Sequence, residues 1–356
     1  MLVLSNEQIA DMLNMEECIA VLEEAYLDLW AEKALNSPRL DNMVPCARED
    51  AYYAFKHMGG TWPRRGIQAL RINSDIITHP SIGGTRRRVK IPAAGGRWVG
   101  LVELFSTETG ELLAIFPDGV MQRMRVGATN GIAAKYMSRP ESDRVGMIGT
   151  GWQAGAQLMA LCTVRPVKEV KVYSQRLESR EEFAHEYSAK LGIPVHCVNT
   201  PEKCAEDVDI LLAATSSLIP VIKPEWLLPG MHVSCIKTQE VDRSVIDRCS
   251  MTVVHSNKQA KQMNNIMPMT PNIIDEHLKG WWNQPGTRWQ DFPDLSSLVA
   301  GKVLVRSNPG EITCFVNNVG IGLQFAAVGA LILEKAIQAG LGTALPGEWF
   351  SESVHP

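Results

Sequence analysis

No stretch of this chain carries the roughly 18 consecutive apolar residues that a helix needs to cross a bilayer. Its start, Met-Leu-Val-Leu-Ser-Asn-Glu, has neither a basic opening nor a long apolar core, so no secretory signal is expected. The eight cysteines (Cys18, Cys46, Cys162, Cys197, Cys204, Cys235, Cys249 and Cys314) are scattered. None forms Cys-x-x-Cys or a Cys/His cluster with zinc spacing, which predicts free thiols in a reducing cytoplasm and no metal. Gly-x-Ser-x-Gly and His-Glu-x-x-His are missing, so serine hydrolysis and zinc hydrolysis have no support. A large charge excess is missing too: net charge −4 over 356 residues argues against nucleic acid or an anionic membrane as partner. The length suggests about two domains.

The most informative stretch begins at residue 144. Residues 144–148 read as a buried strand that runs into Gly149-Thr150-Gly151-Trp152-Gln153-Ala154 and then an apolar helix. A dinucleotide pyrophosphate needs this order. Gly149 permits the tight turn, Gly151 lets the backbone approach the phosphates, and Ala154 lets the helix pack close to the strand. The helix N-terminus then offers free N–H groups to the anion. A second strand, 169–174, follows about 20 residues on, where such folds read the ribose. Its tip is Ser174-Gln175-Arg176, with Ser179 and Arg180 beyond. An NAD site usually has Asp or Glu there. Small polar residues and arginines suit a 2′-phosphate, so NADP (NADPH) is expected ahead of NAD.

Periodicity places the other elements. Ser5 and Gln8 can form a capping box for a helix at 5–13. Asn14 then caps a longer helix with Ile19, Leu22, Tyr26 and Leu29 on one side. Strands are predicted at 51–58, 67–73, 98–105 and 111–116, separated by turn residues such as Gly59-Gly60 and Thr109-Gly110. The basic segment 85–90 reads as a solvated loop, with a substrate or phosphate lid as the alternative. From residue 121 the pattern alternates: helices at 121–138, 152–164 and 178–191, strands at 144–148, 169–174, 194–198, 209–215, 231–236 and 251–255. The expected fold class is α/β, a Rossmann doubly wound parallel sheet plus a discontinuous α+β domain. The long apolar helix 320–339 is expected to return to that second domain. The expected division is 1–122 with 319–356 for the α+β domain and 123–318 for the Rossmann domain.

These residues resemble the ornithine cyclodeaminase/mu-crystallin family. The resemblance rests on SPR at 37–39, TGELLA at 109–114, MRVGATNGIAAKYM at 124–137 and the glycine motif. It continues through ATSSLIP at 214–220, PGMH at 229–232, GEITCF at 310–315 and GIGLQ at 320–324. It implies that the α+β domain binds substrate and forms a homodimer through its sheet. It also implies a nicotinamide cofactor and an imine of an amino acid as the shared intermediate. The substrate carboxylate would be held by Arg39 and Arg125, whose planar, permanently charged forks match a carboxylate. Arg71 stands where the family usually has a lysine; it can bind anions but is a poor proton donor near neutral pH. The nicotinamide would lie near Thr215-Ser216 and the turn Asn318-Val319-Gly320.

Departures from the family shape the expected chemistry. Cyclodeaminases carry an aspartate shortly after the strand matched by 232–236, and here Lys237-Thr238 occupies that place. The threonine after the carboxylate arginine is Val126, and the late-helix Gln-Asp reads Gln324-Phe325. The expectation is therefore simple hydride transfer to or from a C=N bond: an NADP-dependent imine or ketimine reductase, or an amino-acid dehydrogenase in reverse. A cyclodeaminating lyase and a non-catalytic NADPH-binding protein remain the alternatives. Imine reduction also needs a proton. Lys237, at the catalytic position, is the first candidate, and Lys56, on the same strand face as Met58, the second.

Overall fold

Two twelve-residue strands, Ala51–Trp62 and Ile67–Thr78, form the spine of the larger sheet. Along Ile67–Thr78 buried and half-buried residues alternate without a break, the period of a strand with one face in the core. Pro63 opens the turn between them, and Gly66 closes it with φ 65°. In this computed structural model, residues 1–82, 84–258, 262–266, 280–283 and 287–354 are described.

The larger sheet draws on distant parts of the chain. Its order is Gln262–Asn265, Leu40–Pro45, Ala51–Trp62, Ile67–Thr78, Val99–Ser106, Leu112–Pro117, Leu2–Val3, Thr343–Ala344. Leu35–Asn36 and Val89–Ile91 join it beside Ala51–Trp62 and Ile67–Thr78. One of these strands, Gln262–Asn265, comes from inside the span expected to form the Rossmann domain. The smaller sheet is parallel throughout: Val195–Cys197, Glu169–Tyr173, Arg144–Ile148, Ile210–Ala213, His232–Cys235, Thr313–Val316, Met251–Val254. Its connections reverse direction between Arg144–Ile148 and Ile210–Ala213. That switch point is where open α/β sheets leave a crevice.

The helix Gly119–Met137 links the two sheets. It lies close against Trp152–Val164 because Gly127 and Gly131 face Ala156 and Ala160, where a Cβ would crowd the neighbouring helix. Leu323–Ala339 returns to the larger sheet and packs on its two central strands. A continuous core, from Ile9, Leu22 and Tyr26 to Phe116, Phe325 and Ile332, also takes in Phe315 of the parallel sheet. Among the described residues no helix is long and apolar enough to cross a membrane.

Two local expectations differ from the structure. Gly59-Gly60 is not a turn but part of a strand. A Cβ at Gly60 would overlap the backbone of Leu323, so the glycine serves a close backbone approach. The basic segment is not a solvated loop either. Thr85–Arg86 and Val89–Ile91 are short strands, and Arg87 bridges to Ser217 of the parallel-sheet domain.

Candidate active site

The glycine turn and the neighbouring strand tips of the parallel sheet line a cavity of about 770 Å³. Gly149 turns at φ 114°, and a Cβ there would overlap the Ala214 carbonyl oxygen. Gly151 has an ordinary φ of −83°, yet nothing lies within 4 Å of where its Cβ would stand. It caps Trp152–Val164 without a side chain, leaving first-turn N–H groups for an anion. Ala154 is fully buried against the sheet. Thr150 Oγ1 donates to Ser174 Oγ at 2.9 Å, tying the turn to the tip of the second strand. Gln153 donates to Gln122 at 2.7 Å, and the Arg123 guanidinium sits 4.2 Å from the Trp152 ring centre. Ser174, Gln175, Arg176, Thr215 and Ser216 line the same cavity, with Arg176 exposed at its edge. Arg180 turns away: it is buried, donates to the Val198 carbonyl at 2.6 Å and lies over Tyr173.

The arginines cluster elsewhere. Arg125, on the buried face of Gly119–Met137, donates Nη1 to Gln324 Oε1 at 2.8 Å. Its Nε is buried with no hydrogen-bond partner, and among the described residues no carboxylate pairs with it. Burial, reinforced by Arg71, pulls its pKa down to about 9. Its guanidinium carbon lies 5.0 Å from the centre of the Phe325 ring, and that of Arg71 lies 5.5 Å from it. Arg71 is also buried but holds Asp118 at 2.6 Å, and Asn73 donates to the same Asp118 oxygen at 3.1 Å. Arg39 makes a two-pronged pair with Asp41 at 2.7 and 3.0 Å. Arg71 and Arg39 thus each have an internal counter-ion, whereas Arg125 has a neutral amide. Asp118 was not singled out in the sequence and lies in none of the matched segments; Gln324 entered there only through the late-helix pair Gln324-Phe325, with no role given to it.

Asn318, Val319 and Gly320 lie on the Arg125 side rather than with the glycine turn. A Cβ on Gly320 would come within 2.5 Å of Arg125 Nη1. Asn318 exchanges hydrogen bonds with the Ser256 backbone at 2.8 and 3.2 Å. His255 Nδ1 contacts the Val319 carbonyl, and its Nε2 meets Tyr26 Oη at 2.8 Å. Tyr26 Oη accepts from Gln324 at 3.1 Å, so a buried chain runs from this turn to Arg125. Burial pushes the His255 pKa down to about 4, so the ring is neutral near pH 7.

The two lysines occupy different environments. Lys56 is buried on the larger sheet, directly across from Asn73, and pairs with Asp75 at 2.5 Å. Lys90 reaches the other Asp75 oxygen at 2.9 Å. Burial, with Arg88 beside it, pulls the Lys56 pKa down to about 7 against the pull of Asp75. Lys237 follows the strand His232–Cys235 and donates Nζ to the Ser217 carbonyl at 2.5 Å. Burial lowers its pKa as well, opposed by Glu240. Glu240 was missed in the sequence. It is fully buried and accepts from the Thr215 N–H at 2.5 Å, the Thr215 hydroxyl at 2.8 Å and the Ile236 N–H at 2.9 Å. It therefore fixes the Thr215 strand tip and the start of the Lys237 turn together.

Residues 93–340 match the profile of the ornithine cyclodeaminase/mu-crystallin family. The chain belongs to that family. The alanine dehydrogenase of Archaeoglobus fulgidus is 28% identical over 353 residues, covering 97% of this chain and 98% of that one. The structure of Thermococcus litoralis Δ1-pyrroline-2-carboxylate reductase, in complex with NADH and L-proline, is 26% identical with TM-score 0.77. That match covers 97% of this chain and 100% of the other. An archaeal alanine dehydrogenase dimer with bound NAD is 25% identical with TM-score 0.75, covering 97% and 98%. Within the family, Phe325 gives this member an aromatic face against two guanidiniums where the sequence resemblance places an aspartate.

Proposed function

We propose that this chain is an NADP-dependent reductase of a carboxylate-bearing imine, or, in reverse, a dehydrogenase of the matching amino acid. The observation that carries the proposal is Arg125, a buried cation that among the described residues has no carboxylate partner of its own. A substrate carboxylate supplies that counter-ion, and the guanidinium fork fits it. Arg71 and Arg39, held by Asp118 and Asp41, add positive potential around it. The relatives that act on alanine or bind L-proline support an amino or imino acid as substrate.

The cavity suits a dinucleotide. The open space over Gly151, the uncapped helix start and the Thr150–Ser174 hydroxyl pair offer a cradle for its phosphates and ribose. When bound, NADPH supplies a hydride to the substrate α-carbon. The C=N bond becomes C–N, and the nitrogen takes one proton. We assign that proton to Lys56 rather than Lys237. Lys56 shares the Arg71 face of the larger sheet and has a pKa near neutrality, whereas Lys237 is committed to the Ser217 carbonyl. Asp75 holds the Lys56 ammonium in place.

The acid-free tip Ser174-Gln175-Arg176 supports NADPH over NADH, and Arg176→Ala is expected to narrow that preference about tenfold. We further assign residues 1–122 and 319–356, joined by the edge strand Gln262–Asn265, to substrate binding and homodimer formation, and the rest of 123–318 to the cofactor, with Arg125 reaching from it to the substrate. The eight unpaired thiols suit a reducing cytoplasm.

The test is NADPH oxidation followed at the nicotinamide absorbance over a panel of cyclic imines and of α-keto acids with amines. Substrate-dependent oxidation is expected. Ammonia release from a diamino acid without net NADPH consumption would instead identify a cyclodeaminating lyase. Tight NADPH binding with no turnover on any substrate would identify a binding protein.

A further inference from the structure

The basic arm at 84–91 reaches from the side of the larger sheet to the parallel one. The Arg87 backbone pairs with Ser217 in an antiparallel bridge. Its guanidinium donates to the Gln175 side-chain oxygen and, at 3.5 Å, to the Ser216 hydroxyl. Gln175 follows the strand Glu169–Tyr173, and Ser216 follows Ile210–Ala213. The strand between those two, Arg144–Ile148, is the one that leads into the Gly149–Gly151 turn. Arg87 therefore spans the mouth of the cavity over that turn, and it lines the cavity itself. Among the described residues both of its side-chain acceptors are neutral, and its Nε is buried with no hydrogen-bond partner.

A half-buried guanidinium that gives its hydrogen bonds to an amide and a hydroxyl is short of negative charge. The cavity beneath it is shaped for a ligand that carries phosphate groups. We propose that Arg87 is a phosphate ligand for the dinucleotide, supplied from the substrate-side sheet across the cleft. The proposal rests on the dinucleotide reading of the cavity. Gln175 and Ser216 hold the fork in place before the ligand arrives, which reduces the ordering cost of the contact. The bound phosphate then adds one more tie between the arm and the nucleotide sheet.

Equilibrium titration of wild type, Arg87→Gln and Arg87→Lys with NADPH and with NADH, without substrate and at two ionic strengths, tests this. Arg87→Gln is expected to lower NADPH affinity about tenfold and to flatten its salt dependence, while Arg87→Lys keeps part of both. The melting temperature of the free variants should match wild type. An equal loss with NADH locates the contact at the pyrophosphate; a loss confined to NADPH locates it at the 2′-phosphate. Wild-type affinity and salt dependence in Arg87→Gln, for both cofactors, would overturn the assignment and leave the proposed function standing. A wild-type protein that binds neither dinucleotide would overturn both.

Discussion

At the scale of single residues, the carboxylate side of the site has two arginines that are already matched and a third, Arg125, that is not. Arg71 and Arg39 have Asp118 and Asp41, so their loss would take the arginine counter-ion from a buried carboxylate and destabilise the fold. Among the described residues the Arg125 guanidinium hydrogen-bonds a neutral amide, Gln324, and no carboxylate, so its loss should fall on substrate rather than on folding. Arg125→Ala is expected to abolish turnover of carboxylated substrates while NADPH affinity, measured by fluorescence titration, stays nearly intact. Arg125→Lys should rescue poorly, because an ammonium cannot make the two-pronged contact. Unchanged turnover in Arg125→Ala would remove the arginine from the site. Lys56 makes a prediction in pH. Its folded pKa of about 7 lies below its ordinary value of 10.5, chiefly because it is buried. The proton-donating form is therefore lost as pH rises through 7, and reductive kcat/KM should fall above that pH. Lys56→Met should lose most of the rate and the falling limb with it, while Lys237→Met keeps the limb. The same depression means that the unfolded chain binds a proton the folded one does not, between about pH 7 and 10.5. Lys56 then costs least at the alkaline end: wild-type melting temperature should gain on that of Lys56→Met as pH rises through this window.

At the scale of elements, the glycine turn separates backbone need from ligand need. Gly149 combines φ 114° with a carbonyl oxygen where its Cβ would be, so Gly149→Ala should destabilise the fold by roughly 1–3 kcal/mol or more. Gly151 has ordinary backbone and open space, so Gly151→Ala should unfold at the wild-type denaturant midpoint yet bind NADPH much more weakly. Parallel denaturation and titration curves check both; weak binding by neither variant would mean that the turn does not cradle the cofactor. The turn was legible in the sequence because its requirements are local: strand, glycine spacing and helix follow one another along the chain. The same holds for the Ser5–Gln8 capping box and the strand periodicity at 67–73. Gly59-Gly60 misled because the backbone that needs the space, at Gly322 and Leu323, is far away in sequence. Glu240 was invisible for a similar reason. Its burial follows from the meeting of the Thr215 and Ile236 backbones, which no spacing encodes.

At the scale of the whole molecule, the reach of the arm and the make-up of the larger sheet were the hardest features to foresee. Strands at 2–3, 262–265 and 343–344 are short edge pieces without a period of their own, recruited by pairing. The doubly wound half was plain in outline because each βα unit repeats the same apolar pattern. The Arg39, Arg71 and Arg125 cluster was reached through family resemblance, and its internal counter-ions only through the fold. The two sheets divide the proposed labour, phosphates on one side and carboxylate on the other, with hydride transfer where they meet. The most direct measurement is a single turnover with NADPH deuterated at the transferring C4 position, on an imine that supports oxidation, followed by mass spectrometry of the product. One deuterium on the α-carbon of an amino acid is the expected result. Product without deuterium, or ammonia release with the labelled cofactor unchanged, would contradict reduction of a C=N bond by this protein.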